Sequence, residues 1–172
     1  MTTLELPDLR EWTPETLERL PSEFRYEVRE GNLVVMAAAM RPWHADIQAR
    51  VRNLLVGQGR LAYIEQGVIL PEGEIRTCDV GVFGLPPVGG AAYHPASAFM
   101  LLVEVVSEGS RREDREVKPK VYAAAGVPEY WRVDEGADGE AVVYQYRLAR
   151  LADGPATYAE VRVTTLTALE EA

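Results

Sequence analysis

Residues 101–122 read LLVEVVSEGSRREDREVKPKVY, and this stretch decides how we expect the rest of the chain to be arranged. Its first six residues are apolar except for Glu104. A run of this kind predicts a strand that is buried on both faces of a sheet. An ionised carboxylate is costly in such a place unless a cation binds it, so Glu104 is the first candidate for a functional residue.

The second half of the stretch predicts a helix with one polar face. Asp114, Lys118 and Tyr122 follow one another at intervals of four residues, which brings an acid, an amine and a phenol to one side of a helix. Pro119 either kinks the first turns of this helix or marks where it begins. Lys120 lies about 200° around the helix from Lys118, so we expect it to point into solvent.

A second acid, Asp79, lies upstream in the apolar segment TCDVGVF. Two strand-borne carboxylates and a nearby lysine are the minimum set of groups for metal-assisted phosphodiester hydrolysis. Each residue also fits a plainer role. Asp79 could cap a turn, Glu104 could pair with a buried arginine, and Lys118 could be a solvated helix residue. The functional interpretation depends on the three occurring together.

The composition is that of an ordinary globular chain. With 172 residues, 47% of them apolar, we expect one domain over residues 1–172 with a core of its own. The sequence contains no uncharged apolar stretch of about 18 residues and no signal peptide pattern, so we expect a cytoplasmic protein without a membrane partner. Cys78 is the only cysteine, which excludes an internal disulfide and a cysteine zinc cage and suggests a small core residue.

The formal net charge of −9 weighs against nucleic-acid binding, because DNA-binding surfaces are usually basic. Positive charge is concentrated beside the candidate site, where five basic residues occur between positions 111 and 120. Acidic residues are interleaved with them in the same segment. The mixture therefore fits a local basic patch and a solvated helix laced with ion pairs equally well.

The remaining pattern predicts an α+β fold with a mixed sheet. Thr13 and Pro14 begin a short helix whose Leu17 and Leu20 face inward. A β-hairpin follows over residues 24–37. The other predicted elements are a loop at 37–42, a helix at 43–55, strands at 61–70 and 75–83, a loop at 84–95, a strand at 99–106, a helix that ends at 126, and strands at 129–133, 141–147 and 157–163.

Three further polar residues are predicted near the site. His44 falls in the first turn of the helix at 43–55, where it is either a surface or capping residue or a ring that faces an anionic ligand. Glu65 lies on the strand at 61–70 and Glu27 on the hairpin, and both are candidates for outer carboxylates.

Several segments together resemble the Uma2 family, also called DUF820, which belongs with the PD-(D/E)XK restriction-endonuclease-like nucleases. They are RYEVREGNLVVM, the histidine at the start of the next helix, RTCDVGVF, LLVEVVS, the D-x-x-x-K-x-x-x-Y spacing and AGVPEYWRVD, which span residues 25–146. The resemblance implies a restriction-endonuclease-like core, a mixed sheet with a helix on either side, here with an N-terminal β-hairpin extension. Asp79 and Glu104 match the family's metal-binding acids, and Lys118 matches a lysine that has moved from the strand to the helix.

The chain departs from the family pattern at three places. Cys78 replaces the usual proline before the acid, and SEGS replaces the usual S-P-S-T. Val106 stands where a conventional E-x-K motif has its lysine. Activity would therefore depend on Lys118 reaching the site from the helix.

The resulting hypothesis is a Mg²⁺- or Mn²⁺-dependent endonuclease that hydrolyses DNA, with Asp79 and Glu104 as metal ligands and Lys118 as a catalytic group. Two alternatives stay open: a non-catalytic nuclease-fold module that binds nucleic acid or a protein partner, and a structural ion-pair core. The oligomeric state stays open as well, with a homodimer as one candidate. The predicted accessory residues are Glu27, His44, Glu65, Asp114 and Tyr122.

Overall fold

The structure, a computed structural model, describes residues 6–7, 11–37, 40–150 and 152–172. Parts of the N-terminal loop and of the loop expected at 37–42 lie outside these ranges. The described residues form a mixed α+β fold, as predicted. No helix among them is both long and apolar enough to cross a membrane.

The strands and helices follow the predicted order closely. In chain order they are α1 (Pro14–Leu17), β1 (Phe24–Arg29), β2 (Asn32–Ala37), α2 (Pro42–Gly57), β3 (Leu61–Ile69), β4 (Ile75–Phe83), β5 (Tyr93–Pro95), β6 (Phe99–Val105), a π-helical segment (Glu113–Val117), α3 (Lys118–Ala124), β7 (Glu129–Glu135), β8 (Ala141–Arg150), β9 (Ala156–Thr165) and α4 (Leu166–Glu170). Short 3₁₀ turns at Pro71–Gly73 and Ala96–Ala98 precede β4 and β6.

The strands form one sheet in the order β2-β1-β4-β6-β7-β8-β9, with β3 and β5 attached through β4. Strands β6 and β7 are parallel, and β4 pairs antiparallel with both β3 and β6. Leu101, Leu102 and Val103 of β6 have no exposed surface. The apolar run at residues 101–106 thus belongs to a central strand that is buried on both faces, as predicted.

Each face of the sheet is covered by a helix. Ile47 and Val51 of α2 belong to a core cluster with Val103 on one side. Tyr122 of α3 belongs to a second cluster with Leu102 on the other side. Cys78 is a core residue, as predicted, and Trp131 is buried in the core as well. The residues that carry the site therefore lie on two neighbouring strands between two helical layers.

The N-terminal helix is shorter than the sequence pattern predicted, since Leu20 lies outside it. Thr13 caps α1 through a capping box with Thr16, but the α-helix ends at Leu17. Leu17 and Leu20 are buried against Tyr26 of the hairpin, in a third cluster. Packing against the hairpin, rather than helix length, holds this segment in place.

Three features differ from the predicted elements. The loop over 84–95 ends in β5, which pairs parallel with β3. The predicted helix begins with the π-helical segment Glu113–Val117, and Pro119 occupies the first turn of α3. The chain also ends in α4, which was not predicted; it is capped by Thr165 and buries Leu166 and Leu169.

We predict that Leu101→Ala destabilises the protein by about 2–5 kcal/mol, because it leaves a cavity in a strand without exposed surface. Urea denaturation measures this loss. Met100→Ala is the matched control, since its side chain is 43% exposed and we expect a change within about 0.5 kcal/mol. Equal losses for the two variants would contradict the two-sided burial of β6.

Candidate active site

The three residues predicted to be catalytic converge on one cavity of about 560 Å³. Asp79 enters it from β4, Glu104 from β6, and Lys118 from the first turn of α3. Among the predicted accessory residues, Glu27, His44 and Asp114 also line it, whereas Glu65 does not. Tyr122 lies directly behind Glu104 and holds it by a hydrogen bond.

Glu104 is almost fully buried, and both of its oxygens are bonded. Lys118 Nζ donates to Oε2 at 2.7 Å, and the Tyr122 hydroxyl donates to Oε1 at 2.9 Å. Burial raises the pKa of Glu104 well above its ordinary value; Lys118 lowers this pKa, and the acids Asp114 and Asp79 raise it. The partner of the buried acid is thus a lysine, not the arginine that the sequence left open.

Lys118 is buried between acids and is not a solvated helix residue. Its Nζ also donates to the Thr77 carbonyl at 2.9 Å and lies 3.4 Å from Asp114 Oδ1. Burial alone would lower the pKa of Lys118, but Glu104, Asp114 and further carboxylates raise it above the usual value. The amine is therefore held in its charged form. Lys120 is exposed, as predicted.

Asp79 links β4 to β6 instead of capping a turn. The Val105 backbone N–H donates to its Oδ2 at 2.6 Å, and Gln48 donates to its backbone carbonyl at 2.9 Å. Burial raises the pKa of Asp79, but His44, Lys118 and the Val105 N–H together bring it below the ordinary value. The carboxylate is thus ionised in place, with fixed orientation.

His44 is a buried residue that faces an anion, namely Asp79. Its Nε2 lies 3.4 Å from Asp79 Oδ2, while its Nδ1 is buried without a hydrogen-bond partner among the described residues. Burial lowers the pKa of His44, and the interaction with Asp79 raises it to a net value above the ordinary one. The ring is thus buried beside Asp79 and not on the surface, and its predicted contact with an anionic ligand stays a prediction.

The hairpin contributes Glu27, which is also almost fully buried. It accepts hydrogen bonds from the Thr77 N–H at 2.9 Å and the Thr77 hydroxyl at 3.0 Å, and it pairs with Arg29 at 2.6 Å. Arg76 lies 3.6 Å from the same carboxylate. Burial raises the pKa of Glu27, but Lys118, Thr77 and Arg29 lower it to a net value below the ordinary one.

Glu65 reaches the site only through Arg25. Arg25 bonds Glu65 directly and lies 3.7 Å from Asp79 Oδ1, so the arginine stands between the two acids. Glu65 has a φ of 53°, a left-handed conformation that is unusual for a non-glycine residue within a strand. The register of β3 and β4 continues on either side, at Ile64 and Gln66, but no pair forms between Glu65 and Asp79. Glu65 does not line the cavity, and its role as an outer carboxylate stays a prediction.

The sequence analysis did not identify the arginines of the site. Arg25 and Arg29 line the cavity, and Arg76 contacts its wall. A signal was present on β1, where Arg25, Glu27 and Arg29 alternate and so lie on one face of the strand. Their pairing with β4 depends on the sheet register, which local sequence does not specify.

The acids of the site suit a hard cation, although they do not form a complete cage. Within the described ranges, no group of three or more His, Cys, Asp or Glu side chains is arranged to hold a metal ion. Mg²⁺ commonly takes only one or two carboxylates from the protein and completes its shell with water and substrate phosphate, and Mn²⁺ favours the same ligands. Asp79 and Glu104 border one cavity, and each carboxylate oxygen has more than one lone pair. The donor set fits such an ion.

We predict that Lys118→Met destabilises the protein by about 3–5 kcal/mol near neutral pH, because it leaves Glu104 buried without its cation. The loss should grow with pH. The folded-state pKa of Glu104, already above the ordinary 4.5, rises further in the variant. The contribution of Glu104 to stability is therefore complete below the ordinary value and is lost as the pH rises through the folded-state pKa.

Chemical denaturation at about pH 4 and about pH 8 tests this dependence. Lys120→Met is the matched control, because these are the chain's two lysines and Lys120 is exposed on the same helix. We expect the control to change stability by less than about 0.5 kcal/mol at both values. A deficit in Lys118→Met that shrinks with rising pH would contradict the burial of an ionisable Glu104.

Comparison with known proteins gives the same assignment as the geometry. The family model of Uma2, described as "putative restriction endonuclease", matches residues 14–171. A solved structure, described as "a putative nuclease belonging to DUF820 from Anabaena variabilis ATCC 29413", has a similar fold with a TM-score of 0.62. It is 17% identical, and the alignment covers 93% of this chain and 98% of that one. The search of curated proteins gave no significant match. Since the family model covers nearly the whole chain, the protein belongs to the Uma2 family, with a restriction-endonuclease-like nuclease fold.

Proposed function

We propose that the protein is an endonuclease that hydrolyses DNA phosphodiester bonds with the help of Mg²⁺ or Mn²⁺. The observation that carries this proposal is the convergence of Asp79, Glu104 and Lys118 in one cavity, with the lysine supplied from α3. Membership of a family described as restriction endonucleases supports it. The valine at position 106 is then no obstacle, because Lys118 provides the amine that a conventional motif places there.

Asp79 and Glu104 would hold the metal ion. When bound, such an ion acidifies a water molecule and offsets the negative charge that develops on the phosphate. The protein's own contribution is preorganisation. The Val105 N–H fixes the Asp79 carboxylate, and the Tyr122 hydroxyl fixes that of Glu104, so neither needs to reorient during the reaction.

Lys118 would stabilise the developing charge or orient the attacking water. Its amine is charged and already aligned by Glu104 and the Thr77 carbonyl. A fixed ammonium beside the scissile phosphate is more effective than a mobile one, because no reorganisation is required in the transition state. Tyr122 and Asp114 are positioning residues in this scheme, since they contact Glu104 and Lys118 respectively.

Arginines would attract the DNA backbone despite the overall charge of −9. Arg25 and Arg29 line the cavity, and Arg41 is exposed at its edge with a side chain that is 61% accessible. The same lining carries six acids, so a bound divalent ion would have to offset part of their charge, and DNA binding should be weak and sensitive to salt.

The non-catalytic nuclease-fold module remains a second candidate for one specific reason. Both Glu104 oxygens are bonded to protein groups, and both Asp79 oxygens face N–H donors or cations, so the acids are satisfied without a metal ion. In such a module these contacts would be purely structural. The two functions predict different results in the next two experiments.

We predict that the wild type cleaves plasmid DNA in Mn²⁺ or Mg²⁺, and that Lys118→Ala lowers the rate by about 10²–10³-fold through loss of charge stabilisation. With plasmid at a saturating concentration, Lys120→Ala should cleave like the wild type, because that lysine is exposed outside this cavity. The assay is performed at a temperature where circular dichroism shows all three proteins folded. A Lys118→Ala protein with wild-type activity excludes the catalytic role of Lys118, and a wild type that is inactive with every divalent metal favours the non-catalytic module.

We also predict that divalent metal stabilises the folded protein and that Asp79→Asn abolishes this effect. A ligand that binds only the native state at a hundred times its dissociation constant adds about 2.7 kcal/mol. Thermal melts with Mn²⁺ and with EDTA measure the shift. Asp46→Asn serves as a control, because Asp46 is an exposed acid on α2. If Asp79→Asn is stabilised as much as the wild type, the metal binds elsewhere.

A further inference from the structure

A second cavity, of about 720 Å³, lies beside the outer surface of α3. Lys120 and Ala124 line it, whereas Lys118 and Tyr122 of the same helix do not. Its other walls come from β7, β8, the start of β9 and the π-helical segment. The volume is typical of small-molecule and cofactor sites, which measure about 300–1,000 Å³. Nothing in the proposed hydrolysis uses this cavity.

Three tyrosines form an aromatic wall in this cavity. Tyr130 is buried at its centre, and its ring centroid lies 6.0 Å from that of Tyr146 and 5.5 Å from that of Tyr158. The interplanar angles are only 30° and 25°, so the rings are nearly parallel. Tyr146 and Tyr158 are half-buried and line the cavity. A planar aromatic ligand could therefore stack against them.

Cations surround the aromatic wall. The Arg132 guanidinium lies 4.2 Å from the Tyr144 ring centroid and 6.0 Å from that of Tyr146. Arg132 and Arg115 share Asp134 as a partner, at 3.0 and 3.1 Å, and Lys120 is exposed beside them. The cavity lining thus carries three cations and a single acid, Glu116, on a chain whose net charge is −9. This local excess favours an anionic ligand.

We propose that this cavity binds a nucleotide unit of single-stranded nucleic acid. The base would stack against Tyr146 and Tyr158, and the adjoining phosphates would lie near Lys120 and Arg115. Aromatic stacking with a basic border is the arrangement by which proteins bind single strands without sequence preference, because every base has a π face. The proposal does not depend on hydrolysis at Asp79 and Glu104.

The test measures binding of a fluorescein-labelled oligothymidylate of about ten nucleotides by its fluorescence anisotropy. The buffer contains EDTA so that no metal-dependent cleavage occurs. Tyr146→Ala should weaken binding by about 5- to 150-fold through loss of stacking, and Tyr146→Phe should bind like the wild type. Lys120→Glu should weaken binding and reduce the slope of log K against log salt by about 0.7 for the lost phosphate contact.

Tyr63→Ala and Arg19→Glu are matched controls, because these residues are exposed and do not line the cavity. The proposal is overturned if the wild type does not bind the oligonucleotide, or if a folded Tyr146→Ala binds it like the wild type. Thymidine monophosphate should compete only at much higher concentration. Competition at equal concentration would overturn binding of a strand and indicate a free nucleotide.

Asp79→Asn separates this inference from the proposed function. It should bind the oligonucleotide in EDTA like the wild type, because Asp79 does not line the second cavity. A wild type that binds but never cleaves DNA supports the second site while refuting the nuclease activity. A wild type that cleaves plasmid but shows no Tyr146-dependent binding supports the nuclease activity and refutes the second site.

Discussion

The ion pair between Glu104 and Lys118 is the interaction on which the site depends. A carboxylate in the middle of a sheet with no exposed neighbours on β6 is very costly unless its charge is compensated. Lys118, the first residue of α3, provides the compensation at 2.7 Å, so the pair connects the start of this helix to the sheet. Such a pair adds little stability over an apolar pair of the same volume, but breaking it is expensive. Stability alone therefore does not explain the presence of charge in the core.

Backbone irregularities lie at the two places where the acids are held. Asp79 interrupts the pairing of β4 with β3 opposite Glu65, whose left-handed conformation costs free energy within a strand. Asp114 lies in a π-helical segment, a rare conformation that often marks functional sites. In each case the regular hydrogen-bond pattern is interrupted at a residue that contacts the cavity, as Asp114 does, or Arg25, as Glu65 does.

The sequence predicted those parts of the site that local pattern specifies. Glu104 was evident as an acid within an apolar strand, and the four-residue spacing of Asp114, Lys118 and Tyr122 correctly placed all three on one buried side, even though a π-helix intervenes. Arg25 could not be identified in this way, since its role depends on long-range pairing between the hairpin and β4. The same limit explains α4, a five-residue helix that exists because Leu166 and Leu169 fill the core beneath α2.

A buried side chain connects the second cavity to the residues of the candidate active site. Tyr130 forms the centre of the aromatic wall, and its hydroxyl donates to the Asp114 carbonyl at 2.5 Å. Asp114 in turn lies 3.4 Å from Lys118 Nζ. A displacement of Tyr130 by a ligand would thus move its hydrogen-bond partner in the π-helical segment that precedes Lys118. With one lysine of α3 in each cavity, the helix forms the wall between a site suited to phosphodiester chemistry and one suited to holding the strand.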